Sequence, residues 1–350
     1  MDGFEGKTPR ARYDYPFAEP PAPGAAIEVA PGVRWVRMPL PFALKWINLW
    51  LIEDGDGWTV VDTGVQTSET KALWRTIFSE NLEGRPVRRV IVTHMHPDHV
   101  GLAGWMTRKF GCELLMTRLE YITCRMLVAD TGREAPEAGV RFYRAAGWDQ
   151  EDLDRYVDRF GGFGKGVSQL PDAYRRLEDG QEIEIGGRFW RVVTGCGHSP
   201  DHACLWQPDL NVFISGDQIL PRISSNVSVF PTEPSADPLA DWLQSCRKLR
   251  DLLPADCLVL PAHNEPFYGA HKRLEALMAG HETALERVLL RLDPPRRAID
   301  LFGAMFARAI DRDTLGMATG ETIAHLNCLI GRGQVIAETS DGITLYRRVS

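Results

Sequence analysis

Apolar and polar positions alternate in short runs along the early part of the chain. Residues 33–38, 47–54 and 58–64 each read as β-strands, and Asp54-Gly55-Asp56-Gly57 has the composition of a hairpin turn between the last two. The period then lengthens. Residues 68–82 carry apolar side chains at helical spacing, followed by the apolar run Val90-Ile91-Val92, a polar histidine cluster, and a helix expected from Val100 to Phe110. Strands alternating with helices in this way predict an α/β layered fold. From 117 to about 165 the chain changes character: it is helix-like, rich in Arg, Glu and Tyr, and ends in the glycine-rich loop 161–166. Strand patterns resume at 183–195, 203–207 and 211–217, with a helix expected over 238–253 and a strand at 257–263. After about residue 268 the pattern is mostly helical. It closes on an apolar-periodic helix near 320–331, where Ile323, Leu326 and Ile330 share one face, and a hairpin turning at residues 339–342. The first 25 or so residues, with Pro at 9, 16, 20, 21 and 23, suit an extended arm. The resulting division is an arm over 1–25, a catalytic domain over 26–267 with a helical insertion at about 117–165, and a small terminal domain over 268–350.

Composition narrows the function classes. The chain has 350 residues, 44% of them hydrophobic and 25% charged, which fits an ordinary globular protein with material for a sizeable core. A net charge of −7 argues against a broadly basic, nucleic-acid-coating surface. No apolar run approaches the roughly 18 residues that span a bilayer, and the first 24 residues hold no apolar signal core. Seven cysteines, an odd number without a C-x-x-C pair, argue against a disulfide framework or a thiolate zinc knuckle. A reduced, cytoplasmic protein is expected, with no membrane partner.

The chemistry is concentrated in histidine and aspartate placement. Three of nine histidines fall within six residues, His94-Met95-His96-Pro97-Asp98-His99, directly after an apolar strand. Folding alone does not favour three imidazoles and a carboxylate crowded at one strand end. A divalent cation resolves the conflict, because neutral imidazole and carboxylate are good ligands for zinc, iron or manganese. Further ligand-type residues recur at the ends of later strand runs: His198, Asp217 and His263, with Asp62 in the same kind of position and His202 as an outer or loop residue. Cys196 beside His198 reads as a small buried residue.

Residues 93–99 (Thr-His-Met-His-Pro-Asp-His), preceded by Val-Val-Asp-Thr-Gly and followed by Gly-His-Ser-Pro-Asp-His, Ser-Gly-Asp-Gln and Pro-Ala-His-Asn, resemble the five ordered motifs of the metallo-β-lactamase fold superfamily. The resemblance covers residues 30–265 or so. Within the superfamily it is strongest to glyoxalase II-like and lactamase-β-like hydrolases, the latter carrying a carboxy-terminal winged-helix extension that residues 268–350 resemble. It implies a four-layer αββα sandwich with a dinuclear metal centre at one edge. His94, His96 and His198 would hold one ion and Asp98, His99 and His263 the other, with Asp217 bridging. Asp62 would orient the cluster by hydrogen bonds, and Asp98 would also carry a proton. Two divalent ions, Zn2+ with Fe or Mn as alternatives, would activate a bridging hydroxide at neutral pH.

Aspartate at 217, where zinc β-lactamases carry cysteine, makes antibiotic hydrolysis the less favoured activity. Cleavage of an ester, a thioester of acyl-CoA or glutathione type, or a lactone leads. A metal-dependent ribonuclease or phosphodiesterase is the alternative, and a mononuclear iron persulfide dioxygenase is less favoured. Residues 264–350 carry 11 Lys/Arg against 11 Asp/Glu, which gives a polyanion no electrostatic footprint, so packing against the catalytic domain or a partner subunit is expected there. Arg118, Tyr121, Arg125 and Arg222 are weak candidates for contact with an anionic small-molecule substrate. The insertion is expected to lie over the metal mouth and set substrate choice, and a homodimer is a candidate assembly.

Overall fold

A computed structural model describes residues 13–41 and 43–349. Two sheets form its centre. The first contains β1 (Ala26–Ala30), β2 (Val33–Pro39), β3 (Trp46–Asp54), β4 (Gly57–Val61), β5 (Val87–Ile91), β6 (Glu113–Thr117) and β7 (Arg175–Leu177), in that spatial order. It is antiparallel through β4 and parallel from β4 to β7. The second runs from β8 (Glu182–Ile185) through β9 (Arg188–Gly195), β10 (His202–Gln207), β11 (Val212–Gly216) and β12 (Leu258–Pro261) to β13 (Phe267–Tyr268). Its pairs are antiparallel except β11 with β12.

Side-chain alternation explains the layering. On β3, Leu49 and Leu51 point to one face and Trp50 and Ile52 to the other, so both faces must be covered. Trp35, Trp50, Val61 and Ile91 from the first sheet meet Trp190, Val192, Leu205 and Ile214 from the second in an inter-sheet core. Outside the first sheet lie α1 (Ser68–Glu80), α2 (Pro97–Val100), α3 (Ala103–Phe110) and α4 (Arg118–Ala129). The insertion adds α5 (Glu137–Ala146) and α6 (Gln150–Arg159), and the outer face of the second sheet is covered by α7 (Pro238–Leu252) and α8 (Ala270–Leu289). This is the expected four-layer αββα sandwich. Local signals set the helix ends: the Thr67 hydroxyl accepts from Thr70 N–H to open α1, Asp237 caps α7 ahead of Pro238, and Gly111 closes α3 in the left-handed conformation.

The chain ends in α9 (Phe302–Met305), α10 (Leu315–Gly331) and the hairpin β14 (Val335–Ser340) with β15 (Ile343–Arg348). Ile323, Leu326 and Leu329 of α10 join the same apolar core as Trp242 and Leu277, so this end is packed against the sandwich. Ile330, expected on the same core face as the buried Ile323 and Leu326, is 38% exposed in the last turn of α10, where Leu329 takes the buried position instead. The insertion also differs from its expected place. Of its three helices only α4 reaches the metal-ligand loops, while the closing turn 162–166 packs on Pro97 between His96 and Asp98. The α5–α6 pair leans on the chain end, where Trp148 Nε1 donates to Thr319 Oγ1 at 2.9 Å and Arg312 pairs with Glu151. Strands β1, β6 and β7 were not legible as strands. Residues 1–12 of the arm lie outside the described residues; beyond them Asp14 bridges to Tyr268 of β13, and Tyr13 packs edge-on to Phe267.

Candidate metal centre

Four strand ends converge on one edge of the sandwich. Asp62 follows β4, the 94–99 segment follows β5, Asp217 follows β11 and His263 follows β12, while His198 lies in the turn between β9 and β10. Asp62 and Asn264 both take left-handed backbone, φ +61° and +67°, a conformation that short polar residues tolerate and that recurs at functional strand ends.

Nitrogen atoms of three histidines meet closely. His94 Nε2 lies 2.8 Å from His96 Nδ1, His96 Nδ1 lies 3.1 Å from His198 Nε2, and His198 Nε2 lies 3.3 Å from His94 Nε2. Asp217 connects this triad to a second group. Its Oδ2 is 3.3 Å from His198 Nε2, and its Oδ1 is 3.6 Å from His99 Nε2 and 3.5 Å from His263 Nε2. Asp98 Oδ2 closes that group, 3.4 Å from His263 Nε2 and 3.8 Å from His99 Nε2. All seven expected ligand residues are therefore brought together.

The far sides of the rings fix their tautomers. His198 Nδ1–H donates to the Asn226 carbonyl at 2.7 Å and His263 Nδ1–H to the Trp46 carbonyl at 2.9 Å, which turns each Nε2 lone pair into the cluster. Asp62 Oδ2 faces His99 Nδ1 at 2.8 Å and also accepts the Thr93 hydroxyl, while Oδ1 accepts Thr93 N–H. Asp62 is thus an orienting residue that offers no atom to the cluster.

Electrostatics point the same way. Burial, then the facing His99, holds His94 well below the usual imidazole range, and burial with His198 beside it brings His96 down to about 3. Burial would raise the Asp98 carboxyl, but His99 and His263 bring it down to about 2. Burial likewise opposes the ionised form of Asp217, yet His263 and His99 hold it well below the carboxylate range. His99 is raised instead: burial opposes its charge, and the Asp62, Asp98 and Asp217 carboxylates overcome it. Two buried atoms, His99 Nε2 and Asp217 Oδ1, have no hydrogen-bond partner. Lone pairs aimed at one another and orphaned at the centre of a buried cluster are costly without a cation, so the donor set fits divalent metal.

Two supporting residues, Glu120 and Asn48, escaped the sequence reading, and a third, His202, was expected. Glu120 of α4 is fully buried and accepts Met95 N–H, Asp201 N–H and the Ser199 hydroxyl at 2.6–2.9 Å, pinning both histidine loops. Asn48 on β3 donates to the carbonyls of Pro261 and Asn264, holding the His263 loop across the sheets. His202, expected in an outer role, accepts Asp217 N–H through Nε2 at 3.1 Å. A Cβ on Gly216 would fall 2.4 Å from that nitrogen, which requires glycine there. Neither Glu120 nor Asn48 stands in a local pattern that marks it, whereas His202 closes the motif 197–202. The substrate-contact candidates fare differently. Tyr121 is buried, its hydroxyl donating to the Pro171 carbonyl and its ring stacked on Tyr174, so packing occupies it. Arg125 pairs with Asp172 and Arg222 with Glu265; Arg118 is exposed at the start of α4.

Residues 47–263 match the metallo-beta-lactamase superfamily, and residues 285–349 match a metallo-beta-lactamase-like C-terminal domain. The chain is 26% identical to the probable metallo-hydrolase YqjP of Bacillus subtilis (strain 168), over 89% of this chain and 96% of that protein. It is similar to the crystal structure of a beta-lactamase domain protein from Burkholderia ambifaria, at 41% identity and TM-score 0.88, covering 96% of this chain and 98% of the other. An atrochrysone carboxyl ACP thioesterase of Aspergillus fumigatus matches at 26% identity over 63% of this chain and 38% of its own length. With its fold, its converging histidines and aspartates, and a match spanning most of the sandwich, the chain belongs to the metallo-β-lactamase superfamily and is a metal-binding hydrolase.

Proposed function

We propose that the protein is a dinuclear-metal hydrolase that opens an ester or thioester bond in a small acyl substrate, with lactones as related substrates. The observation that carries this reading is Asp217, whose two oxygens face separate donor groups, Oδ2 toward His198 and Oδ1 toward His99 and His263. His94, His96 and His198 would hold one ion and Asp98, His99 and His263 the other, with Zn2+ favoured by the imidazole-rich set and Fe or Mn as alternatives. Two such ions would supply Lewis acidity, lowering the pKa of water and polarising a carbonyl oxygen.

The chain's own groups supply the rest. Asp98, ionised at neutral pH, offers an oxygen that can take a proton from attacking water and return it to the leaving group. Asp62, Asn226 and Trp46 keep the rings aimed. Burial pushes the Cys196 thiol up to about 11, so it stays protonated at neutral pH and is a poor nucleophile beside the cluster. The thioesterase-named relatives support the acyl reading, and the near-neutral charge of residues 264–350 disfavours a nucleic-acid substrate. No helix of the described residues is long and apolar enough to cross a membrane; the odd cysteine number without a C-x-x-C pair is what favours a cytoplasmic, reducing location.

The test is a panel of acyl-CoA thioesters, aryl esters and lactones, with metal analysis of the purified protein. Two divalent ions per chain and thioester or ester cleavage that chelation abolishes are expected. Turnover confined to RNA or other phosphodiesters, or full activity after exhaustive chelation, would refute the reading.

A further inference from the structure

The carbonyl that orients His198 belongs to Asn226, in the segment running beneath α10. The Asn226 side chain is gripped from both ends: Oδ1 accepts the Ser228 hydroxyl at 2.6 Å, and Nδ2 donates to Glu321 Oε2 at 2.9 Å. Glu321 is buried on α10. The helix approaches the segment backbone to backbone, with Val229 N–H donating to the Gly320 carbonyl at 3.1 Å. A Cβ on Gly320 would lie 2.8 Å from Ser228 Cβ and 2.9 Å from the Val229 oxygen, so only glycine permits this contact. On its other side the segment reaches a second ligand residue, the Ser225 hydroxyl donating to the Asp217 carbonyl. Residues 225–229 thus join two ligand residues to the last long helix.

A carboxyl group removed from water costs free energy unless it forms specific bonds. A helix needed only for packing would be served better by an apolar residue at 321. We propose that Glu321 is a positioning residue of the metal centre: through Asn226 it fixes the carbonyl that sets the tautomer and direction of His198. The terminal region then takes part in metal binding without contributing a ligand. This rests on the metal-hydrolase reading above.

The test uses the full chain, stripped of metal and titrated with Zn2+ against a chromophoric chelator, with the visible spectrum of the Co2+-substituted form as a second readout. Glu321→Ala is expected to weaken binding by about 10–100-fold and to change the Co2+ spectrum, as loss of an outer hydrogen-bond partner does elsewhere. Glu321→Gln, which keeps an acceptor oxygen for Asn226, should restore near-wild-type binding and spectrum. Leu326→Ala removes a buried apolar side chain from the same helix without touching Asn226, so it should lower Tm and leave affinity alone. If Glu321→Ala does not fold, Asn226→Ala deletes the same bond from a half-buried position and should weaken binding likewise. Unchanged affinity and spectrum in the folded variant, or an equal loss in Leu326→Ala, would overturn the proposal. Wild-type protein that binds two ions while Glu321→Ala binds as tightly overturns this inference alone; wild-type protein that binds none removes the metal reading and this inference together.

Discussion

The two ends of the central strands hold similar charges arranged in opposite ways. At the end where β3 turns into β4, Asp54 accepts the Thr59 hydroxyl at 2.8 Å, Arg89 at 2.9 Å and Gly186 N–H at 3.2 Å, so each carboxylate oxygen has a protein donor. At the other end Asp217 Oδ1 and His99 Nε2 are buried without a hydrogen-bond partner, and three imidazole nitrogens face one another. The first arrangement is self-sufficient and the second is complete only with a cation. Counting charged residues does not separate the two ends. Asking which donor atoms the protein leaves unanswered does.

Substitutions should sharpen that contrast. The largest effect is expected at Asp217, which faces both donor groups. Asp217→Ala should lose both ions in metal analysis and reduce turnover by about a thousandfold or more, roughly 4 kcal/mol of transition-state stabilisation. Glu120→Ala should follow, because it leaves three donors in two ligand loops without their acceptor; metal affinity by chelator competition should fall about 10–100-fold, with a lowered Tm. Asp62→Ala frees the His99 ring and should lie toward the lower end of the same range, with binding retained. Asp54→Ala is the control from the self-sufficient end. It should cost about 1–3 kcal/mol in denaturant unfolding while metal content and turnover stay unchanged. Loss of metal on that change would break the comparison.

Acidity gives the gentlest test. In the metal-free protein, burial holds His96 and His202 down to about 3, far below an unfolded histidine near 6.5. Between those values the unfolded chain binds protons that the folded chain does not, so stability should fall as pH drops below 6.5, by at most about 1.4 kcal/mol per pH unit for each ring. His99 and His263 are raised, so their contribution is complete below 6.5 and is lost only as pH rises through their folded values. The metal-free protein should therefore be most stable near pH 6.5, and thermal melts across pH 4–9 check this. A stability that climbs steadily into acid would contradict the burial of neutral imidazoles.

The ligand set was legible because each member ends an apolar strand run, and strand ends in this fold share one edge. His94, His96, Asp98 and His99 needed only six residues of sequence. Glu120, Asn48, Asn226 and Glu321 were not legible, since each acts on a loop distant in sequence and stands in no pattern of its own. Alternating strand and helix periods carried only an α/β layered fold, and the four-layer sandwich came from the motif resemblance; strands such as β3, buried on both faces, are what require the extra layers. Strand β7 has three residues and β6 opens a segment that otherwise reads as helix, so neither carried enough periodicity to stand out. The path of the insertion depended on long-range contacts such as Trp148 with Thr319, which no local period encodes.

The single carboxylate of Glu120 has a dynamical consequence. Helix α4 cannot shift without releasing Met95 N–H and Asp201 N–H together, so its motions are tied to those of both ligand loops. Helices α5 and α6 are anchored elsewhere, to Thr319 and Arg312 near the chain end. The exposed residues 131–134 link α4 to this differently anchored pair. Amide exchange in α4 should slow when metal is added, while exchange in α5 should follow the breathing of the terminal helices.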